Sequence, residues 1–341
     1  MSKKLFIFKK GFSIIKTQFI RKVVSFMKKS AKRLLGLSAA LIGAGAVMNT
    51  CVLTRVSKKI SEFQDEMEEK KNPKDRTTPD EILRAEGDAW VDSVGYDHIC
   101  IKNRKNQPIH ALVVKAFEPS DKWLICVHGY TSSPKGMGSY AKHYHKKGFN
   151  ILLPALRGHD LSEQQYITMG WLDRLDICDW IGYLNDKYSD IQIVLHGVSM
   201  GSATVMMATG EDLPDNVMCC VADCGFTSVW DEMKNEIETT YHLHAFPTLY
   251  ISSAISKVVG GYGYKEASSI KQLQKSKTPT LFIHGEQDVF VPYRMMDMNY
   301  NAAACPKEKL SIPDAEHADS HLIHPEIYWP GVFEFVDKYV K

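Results

Sequence analysis

The 341-residue chain can hold one large domain or two small ones, and 44% hydrophobic with 24% charged residues is ordinary globular composition. Its net charge of +2 conceals a division, because residues 1–61 carry 14 Lys and Arg and no Asp or Glu, leaving 28 basic and 40 acidic residues in the remainder. An acidic body without a basic stripe among aromatics excludes nucleic acid as an expected partner.

In chain order, Phe8, Phe12, Ile15, Phe19, Val23 and Phe26 recur at helical spacing with lysines between them. Residues 1–33 therefore read as a basic amphipathic segment suited to an anionic membrane surface. The 21 residues 34–54 carry no charge and would form a helix of about 31 Å, enough for a transmembrane signal-anchor. Eleven Lys and Arg precede it, against Arg55, Lys58 and Lys59 just after. That asymmetry predicts a single-pass protein with a cytoplasmic N-terminus and an extracytoplasmic body. Residues 55–77 are charged, contain Asn72-Pro73 and read as a stalk. Thr78-Pro79-Asp80-Glu81 has the pattern of a capped helix start, which places the folded domain at 78–341.

Eight cysteines show no CxxC and no zinc-like pairing with histidine, so no metal is expected. Cys126, Cys219 and Cys220 sit in apolar runs as small hydrophobes. Free cysteines suit a reducing compartment and pull against the external placement.

Beyond residue 96, short β-rich runs alternate with segments of helical period. Strands are expected at 98–103, 110–117, 123–130, 150–156, 191–197, 217–223, 278–285 and 308–315, the first two as a hairpin. Helices are expected near 134–147, 171–188, 200–210, 226–238 and 320–340. His143 and His145, in a lysine-rich helix, read as surface residues, and His196, inside a strand, as a satisfied core histidine. The later strands are apolar without alternation, as in a parallel sheet covered on both faces. The pattern predicts an α/β class, mostly parallel and doubly wound, led in by an antiparallel hairpin. Residues 226–277 hold no clear strand and read as a modest helical cap.

Gly197-Val198-Ser199-Met200-Gly201 matches G-x-S-x-G between an expected strand and an expected helix. In that setting the serine occupies a sharp turn with its hydroxyl exposed, and the Met200 N–H faces a developing oxyanion. A serine nucleophile needs a base, and the base an orienting carboxylate, in the chain order Ser, acid, His. Asp288 follows the apolar run TLFIHG and His317 follows the next strand, so Ser199, Asp288 and His317 form the candidate triad. Glu286, Asp314 and Asp223 are rival acids, and His321 and His324 are rival bases.

With these motifs in order over about residues 96–341, the chain resembles the α/β-hydrolase superfamily. His128-Gly129-Tyr130 is similar to its HG element, and the resemblance implies the Tyr130 N–H as second oxyanion donor. Arg157-Gly158-His159-Asp160 resembles its RGHG loop, with Asp160 at a glycine position. Met169-Gly170-Trp171, followed by Asp176 and Trp180, is similar to small membrane-anchored bacterial hydrolases related to the prolyl-oligopeptidase-like and BEM-type enzymes. The resemblance implies acyl transfer without a cofactor, on a small-molecule or lipid-like acyl substrate. A carboxylic ester heads the expectations. Thioesterase, amidase, peptidase or acyltransferase activity would use the same groups, and a non-catalytic tethered binding protein is the alternative from another class. Aromatic and Met residues of 226–300, Phe226, Trp230, Tyr241, Phe246, Tyr250, Met295 and Met296, are either core or an acyl pocket.

Overall fold

A computed structural model describes residues 79–341 other than Thr131, Tyr241 and Leu243. The amphipathic segment 1–33, the apolar segment 34–54 and the stalk 55–77 lie outside the described residues, and so does Tyr241. Among the described residues, no helix is long and apolar enough to cross a membrane.

Eight strands form one sheet: β1 (Asp97–Lys102), β2 (Pro108–Val114), β3 (Lys122–Val127), β4 (Asn150–Pro154), β5 (Gln192–Val198), β6 (Val217–Asp223), β7 (Thr280–Gly285) and β8 (Lys307–Ile312). Their order is β1-β2-β4-β3-β5-β6-β7-β8. β2 runs antiparallel to β1 and β4, and every later pairing is parallel. This is the α/β-hydrolase fold.

The helices are α1 (Pro79–Val94), α2 (Gly138–Lys146), α3 (Asp173–Lys187), α4 (Met200–Ala208), α5 (Val229–Thr239), α6 (Thr248–Val259), α7 (Ser269–Leu273), α8 (Arg294–Ala302), α9 (Ser320–Ile323) and α10 (Pro325–Val336). Alternate side chains of each central strand feed two separate cores. Trp123, Ile125, Ile193 and Leu195 pack with Ile177 and Trp180 of α3 and the buried face of α4. Leu124, Cys126 and Val194 pack with Val91, Tyr140 and Tyr144 of α1 and α2 and with Tyr328 and Val332 of α10. A sheet covered on both faces explains why its strands lack alternation in sequence. Residues 226–277 contain α5, α6 and α7 and no strand, only a single bridge between Ser228 and Ser268.

His145 corrects the sequence reading, since it is buried and its Nε2 lies 2.8 Å from the Lys115 carbonyl. His143 stacks on Trp329 at 3.8 Å, and burial, then Lys142 and Lys146, lower its pKa to about 4. A helix rich in lysine still has an inner face, and both histidines use it.

The loop after β4 is fixed by charge. The Arg157 guanidinium grips Asp176 with two hydrogen bonds, 2.6 Å from Nε and 2.8 Å from the second amine. Asn103 donates a further 2.7 Å bond to the same carboxylate. Asp173 accepts the Arg157 amide at 2.8 Å and the Thr168 hydroxyl at 2.5 Å. Asp160, at the glycine position of the RGHG-like loop, adopts φ +35°, so the backbone still asks for left-handed geometry there. Because the Arg157–Asp176 pair is buried, Arg157→Leu should destabilise the protein by about 3–5 kcal/mol in urea denaturation. Replacing both partners by apolar residues should recover part of that. A single-variant loss below about 1 kcal/mol would mean that solvent screens the pair.

Candidate active site

The site begins with the backbone at the end of β5. A Cβ on Gly197 would lie 2.2 Å from the Gly201 carbonyl oxygen, and a Cβ on Gly201 would lie 2.0 Å from that of Val127. Only glycines let the chain reverse from β5 into α4 while pressed against β3. The turn puts Ser199 at φ +56° and ψ −117°, with its amide donating to the Asp223 carbonyl at 2.9 Å. Backbone strain of this kind persists only where surrounding structure imposes it.

The structure brings Ser199, Asp288 and His317 together. Ser199 Oγ lies 2.8 Å from His317 Nε2, and His317 Nδ1 lies 2.7 Å from Asp288 Oδ2. Asp288 Oδ1 accepts the amides of Phe290 at 2.9 Å and Val291 at 3.0 Å. His284 Nε2 lies 2.9 Å from the Val291 carbonyl and 3.1 Å from Asp288 Oδ2. Two acceptors at one nitrogen require that it carry the proton, so His284 also donates to Asp288. Burial alone would raise the Asp288 pKa, but the charge of His317 and the hydrogen bonds of His284 and His317 lower it to about 2. An ionised Asp288 fixes the His317 proton on Nδ1, leaving Nε2 to accept from the Ser199 hydroxyl. His284 was not singled out from sequence. Its only signal is its place in the strand, four residues before Asp288.

The oxyanion candidates meet beside Ser199. Met200 begins α4, where amides have no partner within the helix. His128 Nε2 accepts the Leu156 amide at 3.1 Å, so its Nδ1 donates to the Gly129 carbonyl at 2.8 Å. Because a trans peptide is planar, that bond also sets the direction of the Tyr130 N–H on the opposite side. A Cβ on Gly129 would lie 3.4 Å from Ser199 Cβ, so this loop passes directly over the serine. Burial, then the neighbouring His159, lower the His128 pKa to about 3, which keeps the ring neutral and its tautomer fixed.

The rivals are engaged elsewhere. His324 Nδ1 lies 2.8 Å from Glu326, and the His321 ring packs on Tyr140 at 4.0 Å. Asp314 occupies a turn at φ +56°, and Glu286 is exposed. Asp223 lies buried beneath the serine and accepts the Tyr328 hydroxyl at 2.8 Å. The Tyr328 oxygen in turn lies 3.2 Å from His196 Nε2, and Tyr144 donates to His196 Nδ1 at 3.0 Å. His196 is therefore a core histidine with both ring nitrogens bonded. Of the aromatic and Met residues, Phe226, Met295 and Met296 are buried core. Trp230 packs edge-on to Tyr250 at 4.7 Å, while Phe246 and Tyr250 are exposed.

The sequence model of the prolyl oligopeptidase family matches residues 139–307. An uncharacterised protein of Bacillus subtilis, YqkD, is 27% identical over 215 residues, 63% of this chain and 70% of the relative. A thermostable monoacylglycerol lipase of a Bacillus species is 29% identical over 97 residues, 27% of this chain and 36% of the lipase. Among solved structures, the Pyrococcus furiosus esterase Pf2001 aligns with a TM-score of 0.59 at 24% identity, over 73% of this chain and 93% of the esterase. At that identity the likeness establishes the fold.

Burial above all raises the Asp223 pKa to about 6, with the Tyr328 hydrogen bond and the two nearby histidines opposing it. A carboxyl whose pKa is higher folded than unfolded is protonated preferentially in the native state. Its ionisation therefore removes stability as pH rises from about 4 to about 6. Asp223→Asn should gain relative to wild type by a few kcal/mol between pH 4 and pH 7 in chemical denaturation. Parallel pH curves for the two proteins would refute the assignment.

Proposed function

We propose that this chain, a hydrolase of the α/β-hydrolase superfamily, cleaves carboxylic esters through an acyl-enzyme formed on Ser199. The observation that carries this reading is the unbroken relay from Ser199 Oγ through His317 to an ionised Asp288, with both contacts under 3 Å. Ser199 attacks the carbonyl carbon while His317 Nε2 takes its proton. Asp288 holds the ring and stabilises its charged form. The Met200 and Tyr130 amides receive the oxyanion, each donor being worth about 2.7–4 kcal/mol. His317 then returns the proton to the leaving alkoxide, and water releases the acyl group through the same base.

An apolar substrate part is favoured by the rim. Phe290 is 42% exposed, directly follows the Asp288 loop and packs its ring 4.9 Å from that of His317. Val289 beside it is 64% exposed. The similarity to a monoacylglycerol lipase points the same way. The uncharged segment 34–54 would hold the domain at a membrane, close to lipid-like esters. A second reading, peptide or amide cleavage by the same groups, is favoured by the match to the prolyl oligopeptidase family model.

Ser199→Ala should abolish p-nitrophenyl ester turnover, a fall of roughly 10^4-fold or more, and labelling by a fluorophosphonate, with little change in melting temperature. Comparable turnover in that variant would assign the nucleophile elsewhere. A matched ester and amide panel separates the two substrate readings. His128→Ala should lower kcat about 10- to 100-fold with little change in KM, since it frees the peptide that aims the Tyr130 N–H. His128→Asn, which retains a donor, should recover part of that. Equal losses in kcat from both variants would point to a packing role alone.

A further inference from the structure

One nucleophilic side chain at the site has no part in the relay. Cys224 directly follows β6, adopts φ +48° and is fully buried. Among the described residues, its sulphur, an imidazole nitrogen of His317 and a carboxylate oxygen of Asp288 form one three-ligand group, all within 4.8 Å of one another. Thiolate, imidazole and carboxylate are the donor set of a tetrahedral site for a borderline-soft cation. Donor atoms in such a site stand about 3.5 Å apart, so modest side-chain rotation closes this one.

We propose that Cys224, Asp288 and His317 form an inhibitory site for Zn2+ or a cation of similar softness. The proposal rests on the reading of Ser199 and His317 as nucleophile and base. As the sulphur–metal bond forms, the Cys224 thiol releases its proton to solvent. Asp288 contributes its existing charge. The His317 nitrogen beside Asp288 is Nδ1, because Nε2 faces Ser199. A metal on Nδ1 moves the single proton of the neutral ring to Nε2, which can then no longer accept from the Ser199 hydroxyl. The three ligands and the cation sum to zero charge, with one proton released. Burial foremost, then Asp223 and Asp288, hold the free thiol well above its ordinary pKa, so the cation must displace a tightly held proton and binding strengthens as pH rises. Entry is from the His317 side, whose side chain is 21% exposed. The ligands come from three separate loops, which is why the sequence shows no zinc-like spacing.

Two readouts test the site. Wild-type protein, stripped with a chelator and titrated with Zn2+, should lose ester turnover and regain it on adding EDTA. Loss of outer-sphere partners alone costs about 10–100-fold in metal affinity, so Cys224→Ala should move the inhibition midpoint up by at least about 10-fold relative to its own zinc-free rate. Independently of activity, Co2+ should give a thiolate-to-cobalt charge-transfer band in wild type, Ser199→Ala and Cys100→Ala, but not in Cys224→Ala. Cys100 is the necessary control because its sulphur lies 3.9 Å from His110 Nε2. If Cys224→Ala does not fold, Cys224→Ser serves, because an alcohol cannot produce the band. Unchanged zinc inhibition in the Cys224 variant, or a cobalt band that survives it, overturns the proposal. If wild type turns over no ester, the cobalt band still decides the metal site, and the failure falls on the hydrolase reading alone.

Discussion

Three backbone segments meet at the end of β5 with no room for a side chain between them. Gly201 packs on the Val127 carbonyl, Gly197 packs on Gly201, and Gly129 passes over Ser199. This contact ties β3, β5 and the start of α4 into one unit and forces the serine out of the preferred regions of φ and ψ. It also brings the loop after β3 against the serine, at the residue that precedes α4. A single methyl group at Gly197 or Gly201 would have to push α4 away from β5 or β3. The nucleophile position is therefore a property of the packed core, and its strain is carried by the sheet as a whole.

Two carboxylates end neighbouring strands beneath the same histidine, and their surroundings assign them opposite states. Asp288 receives two amides and two histidine N–H groups, and its pKa falls to about 2. Asp223 receives the Tyr328 hydroxyl, and its Oδ1 finds no partner among the described residues, so its pKa rises to about 6. Composition cannot make that distinction, because both residues are aspartates after apolar strands. Counting N–H donors makes it at once. The donors exist because the chain turns through Phe290 and Val291 straight after Asp288, so the acid loop solvates its own carboxylate.

Much of this was legible in the sequence. All eight strands were marked, the inner ones by apolar runs because they are buried on both faces, and G-x-S-x-G carried its own reason for two glycines. The rest was hidden for identifiable reasons. α6 is rich in serine and β-branched residues, which are indifferent helix formers, and α8 contains two asparagines and an aspartate in nine residues. The inner place of His145 depended on which face α2 turns to the sheet. His284 and Cys224 read as ordinary strand-end residues, because what they touch is supplied by other loops. Tyr328, near the C-terminus, reaches Asp223 and His196 only through the packing of α10 on the sheet.

The strained residues around the site lie at the ends of β5, β6 and β8. Ser199, Cys224, Asp314 and Ala318 all have positive φ, at roughly 1–2 kcal/mol each for an L-residue. Each strand-end loop is bonded to its neighbour: the Ser199 amide to Asp223, the Cys224 amide to Ile283, and the Glu286 and Gln287 amides to Ile312 and Ala315. These bonds continue the parallel ladder β5-β6-β7-β8 one step beyond the strands themselves. Register in that ladder therefore fixes how far Ser199, Asp288 and His317 stand apart. Base, acid and thiol are thus held by one stitched row of loops, so whatever moves the thiol must also move the hydrogen bonds of the relay.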